Sequence, residues 1–367
     1  MAITKISVIM PVLNNEEYLI PAIESILSQT ESNFEFIIIS EFGNNNASLD
    51  ILQTYAAADE RIRLIQNESR LNISASLNLG IDMAQGEYIA RMDADDISLP
   101  ERFARQSDFL DTNLEISICV TATHTINANG NKLNRLDPNP NDPDQIHSDL
   151  LFYCPIQHPT AMMRRTALLE ADLRYNPDYA ETEDYEFWNR AGRRVRIARL
   201  PEALLLYRLH SSNASRLRRE PGIENFLTVM QDNFLRFDMC FSNEQLRILC
   251  PITCEMTLRN FMKYCRFVKS VANEIMQKNK TIKLYDQDSL IKTLQKRMFW
   301  YKAPWRLVIA VTARSAASVI RIFSSKASYV LYRTAFCVET YGVRGFIRML
   351  TEYIREREKT LPSLSSA

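Results

Sequence analysis

The chain has 367 residues, of which 46% are hydrophobic and 24% charged, and its formal net charge is zero. This is the composition of a folded protein with a sizeable core, and the length favours two domains or one large domain with an appendage. No uncharged apolar run approaches the roughly 20 residues that span a bilayer, which argues against a membrane-spanning protein.

Features of the N-terminus and the cysteines indicate the compartment. The first residues enter a strand-like run almost at once, so we expect no signal peptide. The seven cysteines are odd in number and form no Cys-x-x-Cys pair. This pattern favours a reduced, cytosolic compartment.

Short apolar runs alternate with helix-like stretches over the first hundred residues. Buried strands are predicted at 6–10, 34–39 and 61–65, with a fourth in the stretch 86–96. Helices are predicted within 14–27, 47–58 and 74–83. Strands that alternate with helices of about ten residues predict an α/β fold with a parallel sheet.

Polar residues follow three of these strands at the point where each strand ends. Asn14 follows the first strand, Glu41 the second, and Asp93 and Asp95 the fourth. In open α/β sheets ligands bind outside the carboxyl ends of the strands. The sequence therefore predicts a binding site at this edge of the sheet.

Three carboxylates lie within four residues after the fourth strand. If the chain is still extended through Asp93 and Asp95, their side chains point the same way and converge. Converging carboxylates repel each other unless a cation lies between them, and hard oxygen ligands suit Mg²⁺ or Mn²⁺ together with substrate phosphates. The alternative is a solvated acidic turn before a helix, because Ser98-Leu-Pro-Glu101 has the pattern of a capping box.

Further elements and polar positions follow in the middle of the chain. A helix is predicted at 100–110, a strand at 116–123, a loop at 127–144 and a strand at 200–209. His158 lies in the segment 153–165, the Glu183-Asp184 pair begins a helix with acids in its first turn, and His210 follows the last strand. From about residue 220, Gly and Pro almost vanish and the apolar spacing predicts helices.

The segment 296–359, called here the basic tail, holds 13 Lys or Arg and 4 Asp or Glu, a net charge of +9. The remainder of the chain therefore carries −9. Trp300, Tyr301 and Trp305 lie among the cations, a mixture that suits the headgroup region of an anionic membrane. The alternatives are a helical domain with a charged face and a contact in a homo-oligomer.

The motifs resemble the family 2 glycosyltransferases of the bacterial polysaccharide type, in order and in spacing. The matching segments are 8–16, 36–41, 74–80, 86–96, 158–165, 183–184 and 207–210. The resemblance implies an α/β GT-A fold, Rossmann-like, with a mostly parallel sheet flanked by helices. The resemblance covers roughly the first 215 residues, so we expect a catalytic domain at 1–219. The change in composition near residue 220 predicts a C-terminal helical region at 220–367. The family resemblance further implies inverting transfer of a sugar from a nucleotide-diphosphate sugar, expected to be a UDP-sugar, to a hydroxyl of a glycan or lipid-linked acceptor.

The resemblance also implies roles for individual residues. On the nucleotide side it implies Pro11, Leu13, Asn14, Glu41 and Asp93. For Mn²⁺ or Mg²⁺ it implies Asp95, Asp93 and His210, and on the acceptor side Asp184 as general base, with Glu183 and His158. One departure leaves the nucleotide open, because Ser40-Glu41-Phe42-Gly43 stands where the family commonly has Asp-Asp-Gly-Ser.

Alternative interpretations remain for several of these residues. Asp184 at a helix start is equally typical of a cap, and a histidine after a strand, such as His210, is often structural. The altered segment around Glu41 also fits a non-catalytic nucleotide-sugar binder or scaffold protein. A nucleotidyltransferase would need a Gly-rich basic loop after the first strand, which is absent. Nucleic-acid binding is not expected from the acidic catalytic half, and we expect a cytoplasmic enzyme, peripheral on the inner membrane face through the basic tail.

Overall fold

The computed structural model describes residues 4–133, 139–211, 213, 220–250, 253 and 261–297. These residues fall into two compact units that divide between Cys240 and Phe241. The strands of the first unit are β1 (Ile6–Val12), β2 (Phe34–Ser40), β3 (Ile62–Gln66), β4 (Tyr88–Arg91), β5 (Ile97–Ser98), β6 (Ile116–Asn127), β7 (Met162–Arg164) and β8 (Arg196–Leu209). Its helices are α1 (Glu16–Leu27), α2 (Asn46–Ala58), α3 (Ile73–Met83), α4 (Arg102–Thr112), α5 (Pro143–Asp149), α6 (Arg165–Glu170), α7 (Glu183–Gly192) and α8 (Glu220–Leu235).

The strands form one sheet in the order β3-β2-β1-β4-β7-β6-β8-β5. Strands β3, β2, β1 and β4 are parallel to one another, and β6 is parallel to β8. Strand β7 is antiparallel to both β4 and β6, and β5 is antiparallel to β8. The predicted α/β fold, with a mostly parallel sheet flanked by helices, is confirmed.

The central strands are apolar on both faces because helices cover both sides of the sheet. All residues of β2 are buried, and β1 is buried except at Pro11. Buried side chains of α1, such as Leu19 and Ile23, belong to the same core as β1 and β2. A strand covered on both faces has no polar alternation, which is why the sequence shows continuous apolar runs here.

Gly86 lies where the chain returns from α3 and passes close to β1. A Cβ atom at Gly86 would lie 2.6 Å from the backbone nitrogen of Ser7 and 2.8 Å from the backbone carbonyl carbon of Ile6. The Gly86 N–H also donates to Ser7 Oγ at 2.8 Å, and that hydroxyl donates to Glu35 Oε1 at 2.6 Å. Gly86 therefore fixes the approach of β4 to β1, ahead of the carboxylate turn.

We expect Gly86→Ala to lower the free energy of unfolding by about 1–3 kcal/mol, because the new methyl group meets backbone atoms that cannot rotate away. Urea denaturation would measure the loss. Gly192→Ala is the matched control, since its Cβ would meet only the ends of the Leu150 and His147 side chains, at 3.1 and 3.6 Å. Equal denaturation midpoints for Gly86→Ala and wild type would contradict the close approach.

The predicted capping box at Ser98–Glu101 is wrong. Helix α4 begins at Arg102, and Ser98 lies in β5, where it pairs with Leu205 of β8. The cap comes from a distant part of the chain, because Gln29 Oε1 accepts the Phe103 N–H at 3.0 Å. Pairing with β8 keeps Ser98 in a strand, so its side chain is not available to the helix end.

The second unit contains α9 (Asn243–Leu249) and α10 (Phe261–Ile282). Helix α10 buries Val268, Val271 and Ile275, which share one face at helical spacing. In the part of the chain that the structure describes, no helix is both long and apolar enough to cross a membrane. Apart from its first two residues, the basic tail lies outside the described residues. Trp300, Tyr301 and Trp305 are therefore also outside them.

Helix α8 belongs to the first unit. Its Phe226 ring stacks on Tyr185 of α7 with the ring centroids 4.2 Å apart, and Thr182 Oγ1 donates to the Gly222 carbonyl at 2.8 Å. The start of α7, which carries Glu183 and Asp184, is thereby supported by α8. The domain boundary at 219–220 stays a prediction.

Candidate active site

The three carboxylates after β4 come together in space. Strand β4 ends at Arg91, and the chain then turns through Asp93–Asp96 before β5. One ligand oxygen from each of Asp93, Asp95 and Asp96 lies within 4.8 Å of the others. The convergence comes from a turn and not from the pleat of an extended strand, and it includes Asp96 as a third member.

Arg91 lies beneath the turn and pairs with Asp93. Its side chain is almost completely buried, and Nη1 contacts Asp93 Oδ2. Burial is the largest single effect and favours the neutral form of a guanidinium. The charge of Asp93, its hydrogen bond to Arg91 and smaller charge effects together outweigh burial and raise the pKa of Arg91. Asp93 is therefore ion-paired with a guanidinium, that of Arg91, which stays charged.

Asp95 and His210 are in direct contact across the sheet edge. His210 Nε2 lies 2.8 Å from Asp95 Oδ2, and Asn213 Nδ2 lies 3.5 Å from the same oxygen. Burial, and then the charge of Asp93, raise the pKa of Asp95. His210 directly follows β8, so the end of that strand delivers the imidazole to the carboxylate turn.

Asp96 is the most buried of the three carboxylates, with 1% of its surface exposed. Its Oδ1 accepts the Arg208 N–H at 2.8 Å, whereas Oδ2 has no hydrogen-bond partner among the described residues. Burial, then the charges of Asp93 and Asp95, raise the pKa of Asp96 well above its usual range. A buried carboxylate oxygen without a partner, beside two more carboxylates and an imidazole, fits a divalent cation such as Mg²⁺ or Mn²⁺.

Asn14 joins the loops that follow β1 and β2. It adopts the left-handed backbone region with φ of 50°. Its N–H donates to Asn44 Oδ1 at 2.6 Å, and its own Oδ1 accepts the Asn45 N–H at 2.7 Å. Pro11 lies near the end of β1, three residues before Asn14. Leu13 directly precedes Asn14, and 47% of its surface is exposed. Three of the predicted nucleotide-side residues, Pro11, Leu13 and Asn14, thus lie together at the end of β1.

Glu41 lies at the junction of β1, β2, β3 and α3. Its N–H donates to the Val12 carbonyl at 2.9 Å, which continues the pairing of β1 with β2. Its carboxylate accepts hydrogen bonds from the Ser76 hydroxyl and, at 3.2 Å, from Asn67 Nδ2. Glutamate is one methylene longer than aspartate, and this length lets the Glu41 carboxylate contact Ser76 of α3 and Asn67 at the end of β3.

Glu183 and Asp184 form the first turn of α7. Asp184 Oδ1 accepts the N–H of the next residue, Tyr185, at 2.6 Å. Burial raises the pKa of the Tyr175 hydroxyl, and the charges of Glu183, Asp184 and Asp93 raise it further. The acidic start of α7 and the carboxylate turn therefore act electrostatically on the same hydroxyl group.

The ring of His158 is buried and contacts two other aromatic residues. Its Nε2 lies 2.7 Å from the Tyr175 hydroxyl, and its ring meets Trp188 edge-to-face with centroids 5.8 Å apart. Burial, and then the charge of Arg91, lower the pKa of His158 well below its usual value. The imidazole is neutral at physiological pH and joins the segment before β7 to α7.

Sequence reasoning missed three residues of this site: Arg91, Asp96 and Arg208. Arg91 precedes Asp93 by only two residues, and this closeness in sequence is a signal that could have indicated the ion pair. Asp96 belongs to the acidic stretch, but neither its spacing nor the family resemblance indicates a role for it. Arg208 lies in the matching segment 207–210, but nothing in that segment indicates its contacts with Asp96 and Asp95, which are 112 and 113 residues away.

Comparison with solved structures supports the fold. Staphylococcus aureus TarS 1–349 in complex with UDP-GlcNAc aligns with 81% of this chain and 91% of its own chain, at 16% identity and a TM-score of 0.54. TarS 1–349 without that ligand aligns over the same shares at 17% identity and a TM-score of 0.52. At such identities the likeness concerns the fold alone, and it confirms the expected GT-A fold.

Comparison with family models and curated proteins identifies the family. Residues 7–172 match the model described as Glycosyl transferase family 2. The O-antigen biosynthesis glycosyltransferase WbnJ of Escherichia coli is 34% identical over 215 residues, 58% of this chain and 82% of its own length. An uncharacterized glycosyltransferase of Haemophilus influenzae is 34% identical over 235 residues, 62% of this chain and 72% of its own length. The motifs, the fold and these relatives agree, and the chain belongs to glycosyl transferase family 2.

Proposed function

We propose that this glycosyltransferase is metal-dependent and inverting, and that it transfers a hexose from a UDP-sugar to a hydroxyl of a glycan or lipid-linked acceptor in cell-surface polysaccharide synthesis. The observation that carries the proposal is the cluster of Asp93, Asp95 and Asp96, with His210 in contact, at the carboxyl edge of the sheet. In a member of this family, that edge is where the donor diphosphate is expected.

On the donor side, Asp95, Asp93 and His210 would hold Mn²⁺ or Mg²⁺, and Asp96 supplies a further buried oxygen. When bound, the cation would neutralise the charge that builds on the departing diphosphate. Arg91 pairs with Asp93 and keeps its carboxylate oriented. These residues thus prepare a negative site that accepts a cation together with phosphate oxygens.

The nucleotide base would lie over the rim formed by Pro11, Leu13 and Glu41, while Asn14 holds the two loops together. The Glu41 carboxylate is held by Ser76 and Asn67, and its oxygens can accept a further hydrogen bond from a uracil N–H or a ribose hydroxyl. The UDP-GlcNAc complex of TarS, a protein of the same fold, supports a nucleotide-sugar donor.

On the acceptor side, Asp184 would take the proton of the attacking hydroxyl. A positioned base contributes about 10²–10⁴-fold to the rate. Glu183 lies beside it, and the buried His158–Tyr175 pair supports this side of the site from below. Inversion requires that the hydroxyl attacks from the face opposite the diphosphate, so the base belongs on the α7 side and the cation on the β4 side.

Docking of the enzyme on an anionic membrane surface stays a prediction of the sequence, because the basic tail lies outside the described residues. A lipid-linked acceptor would make such docking useful.

The test is a thermal-shift screen of nucleotides and nucleotide sugars, each with and without Mn²⁺. UDP and one UDP-sugar should raise the melting temperature only with the metal, because a ligand at 100 times its Kd adds about 2.7 kcal/mol of stability. Stabilisation without any hydrolysis or transfer of the donor would favour the non-catalytic scaffold. No shift with any nucleotide would contradict the proposal.

A further inference from the structure

Arg208 contacts the carboxylate turn at two points. Its backbone N–H donates to Asp96 Oδ1 at 2.8 Å, and its side-chain Nε donates to the backbone carbonyl of Asp95 at 2.7 Å. Nη1 of the same guanidinium donates to the Ala128 carbonyl at 3.0 Å, just beyond the end of β6. Arg208 is 4% exposed, so these bonds are made away from water. The turn is thereby tied to the ends of β8 and β6.

Tyr18 of α1 contacts both Arg208 and His210. The Arg208 guanidinium carbon lies 4.7 Å from the centroid of the Tyr18 ring, a cation–π distance. The centroid of the His210 ring lies 5.0 Å from the same Tyr18 centroid. One aromatic ring therefore supports both the guanidinium that holds the turn and the imidazole that contacts Asp95.

The geometry of this arrangement suits a guanidinium specifically. Its donors are directed in a fixed planar fork, so Arg208 can bond the carbonyls of Asp95 and Ala128 while its central carbon lies over the Tyr18 ring. A lysine at this position would keep the charge but would lose the fork and the flat face. The Asp95 carbonyl would then lose its donor, and the turn would gain freedom.

We propose that Arg208 and Tyr18 are positioning residues, which hold the Asp93–Asp96 turn and the His210 imidazole in the arrangement that receives the metal–diphosphate group. This proposal rests on the proposed metal-dependent function. Neither residue needs to touch the metal or the donor. Arg208 acts through the backbone of the turn, and Tyr18 acts through Arg208 and His210.

The test uses Arg208→Lys and Tyr18→Leu in the full chain. We expect each to weaken Mn²⁺ binding, measured by electron paramagnetic resonance without nucleotide, by about 10–100-fold, as is usual when groups that orient metal ligands are removed. In the metal-free proteins, amide hydrogen exchange should become faster in a peptide that covers 92–98, and unchanged in peptides from β1 and β2.

Arg199→Lys is the matched control. Arg199 is also a buried arginine of β8 and also donates to a backbone carbonyl, that of Asn139, but at the opposite end of the strand. The Arg199→Lys substitution should change the melting temperature about as much as Arg208→Lys does. Its Mn²⁺ affinity and its amide exchange at 92–98 should stay within about two-fold of wild type.

Wild-type exchange at 92–98 in both variants, or a uniform increase across the whole sheet, would overturn the positioning role. If Arg208→Lys does not fold, Tyr18→Leu decides alone, because Tyr18 lies on α1 and is only partly buried. If the wild type binds no Mn²⁺, the proposed function fails, and the metal-free exchange measurement still decides whether these residues order the turn.

Discussion

Replacing Asp95 by alanine is expected to remove the Mn²⁺-dependent binding of UDP while the protein stays folded. Asp95 joins the carboxylate cluster to His210 through a 2.8 Å contact, so its loss would remove one proposed ligand and release the imidazole of another. We expect the affinity for UDP in the presence of Mn²⁺ to fall by at least about 100-fold, or ~2.7 kcal/mol. Isothermal titration calorimetry with and without Mn²⁺ measures this difference.

The metal-free Asp95→Ala protein should be at least as stable as the wild type. Burial and the charge of Asp93 raise the pKa of Asp95, so the folded state binds this proton more tightly than the unfolded state. The stability contributed by the group is present at low pH and is lost as the pH rises through the raised pKa. At neutral pH its removal therefore costs no folding free energy.

Asp108→Ala, at an exposed position of α4, is the control for the Asp95 experiment and should bind UDP as the wild type does. Unchanged metal-dependent affinity in Asp95→Ala would show that the carboxylate turn is not the metal site.

Replacing Asp184 by asparagine is expected to lower turnover by about 10²–10⁴-fold while donor affinity stays the same. Only the transition state needs a group that accepts the proton of the acceptor hydroxyl, so the effect falls on kcat and not on donor binding. Asparagine keeps the Oδ1 acceptor for the Tyr185 N–H, which preserves the start of α7. Donor turnover and calorimetric donor affinity are the two measurements.

Glu186→Gln on the same helix provides the control for Asp184. Glu186 is ion-paired with Arg190 at 2.7 Å, one turn further along α7, and its substitution should change turnover only a few-fold. If Asp184→Asn keeps turnover within a few-fold of wild type, another residue is the base, and Asp184 serves only the helix start.

Local patterns in the sequence are sufficient to predict which residues lie at the carboxyl edge of the sheet. The continuous apolar runs of β1 and β2 indicated strands covered on both faces, and residues such as Asn14 and Glu41 marked their carboxyl ends. Asp93 and Asp95 were identified for the same reason. A strand period or a polar residue after a strand is readable within about ten residues, so such features need no knowledge of the tertiary structure.

The tertiary structure alone decided how that edge is held together. Asp96 and Arg208 are 112 residues apart, and Asp95 and His210 are 115 residues apart. Gln29 caps α4 from 74 residues away, which displaced the local capping box. Contacts at such separations leave no periodicity in the sequence, because each partner is chosen by the packing of strands and helices around it. The sequence by itself determined where this protein places its charges, and the order of the strands determined which groups those charges meet.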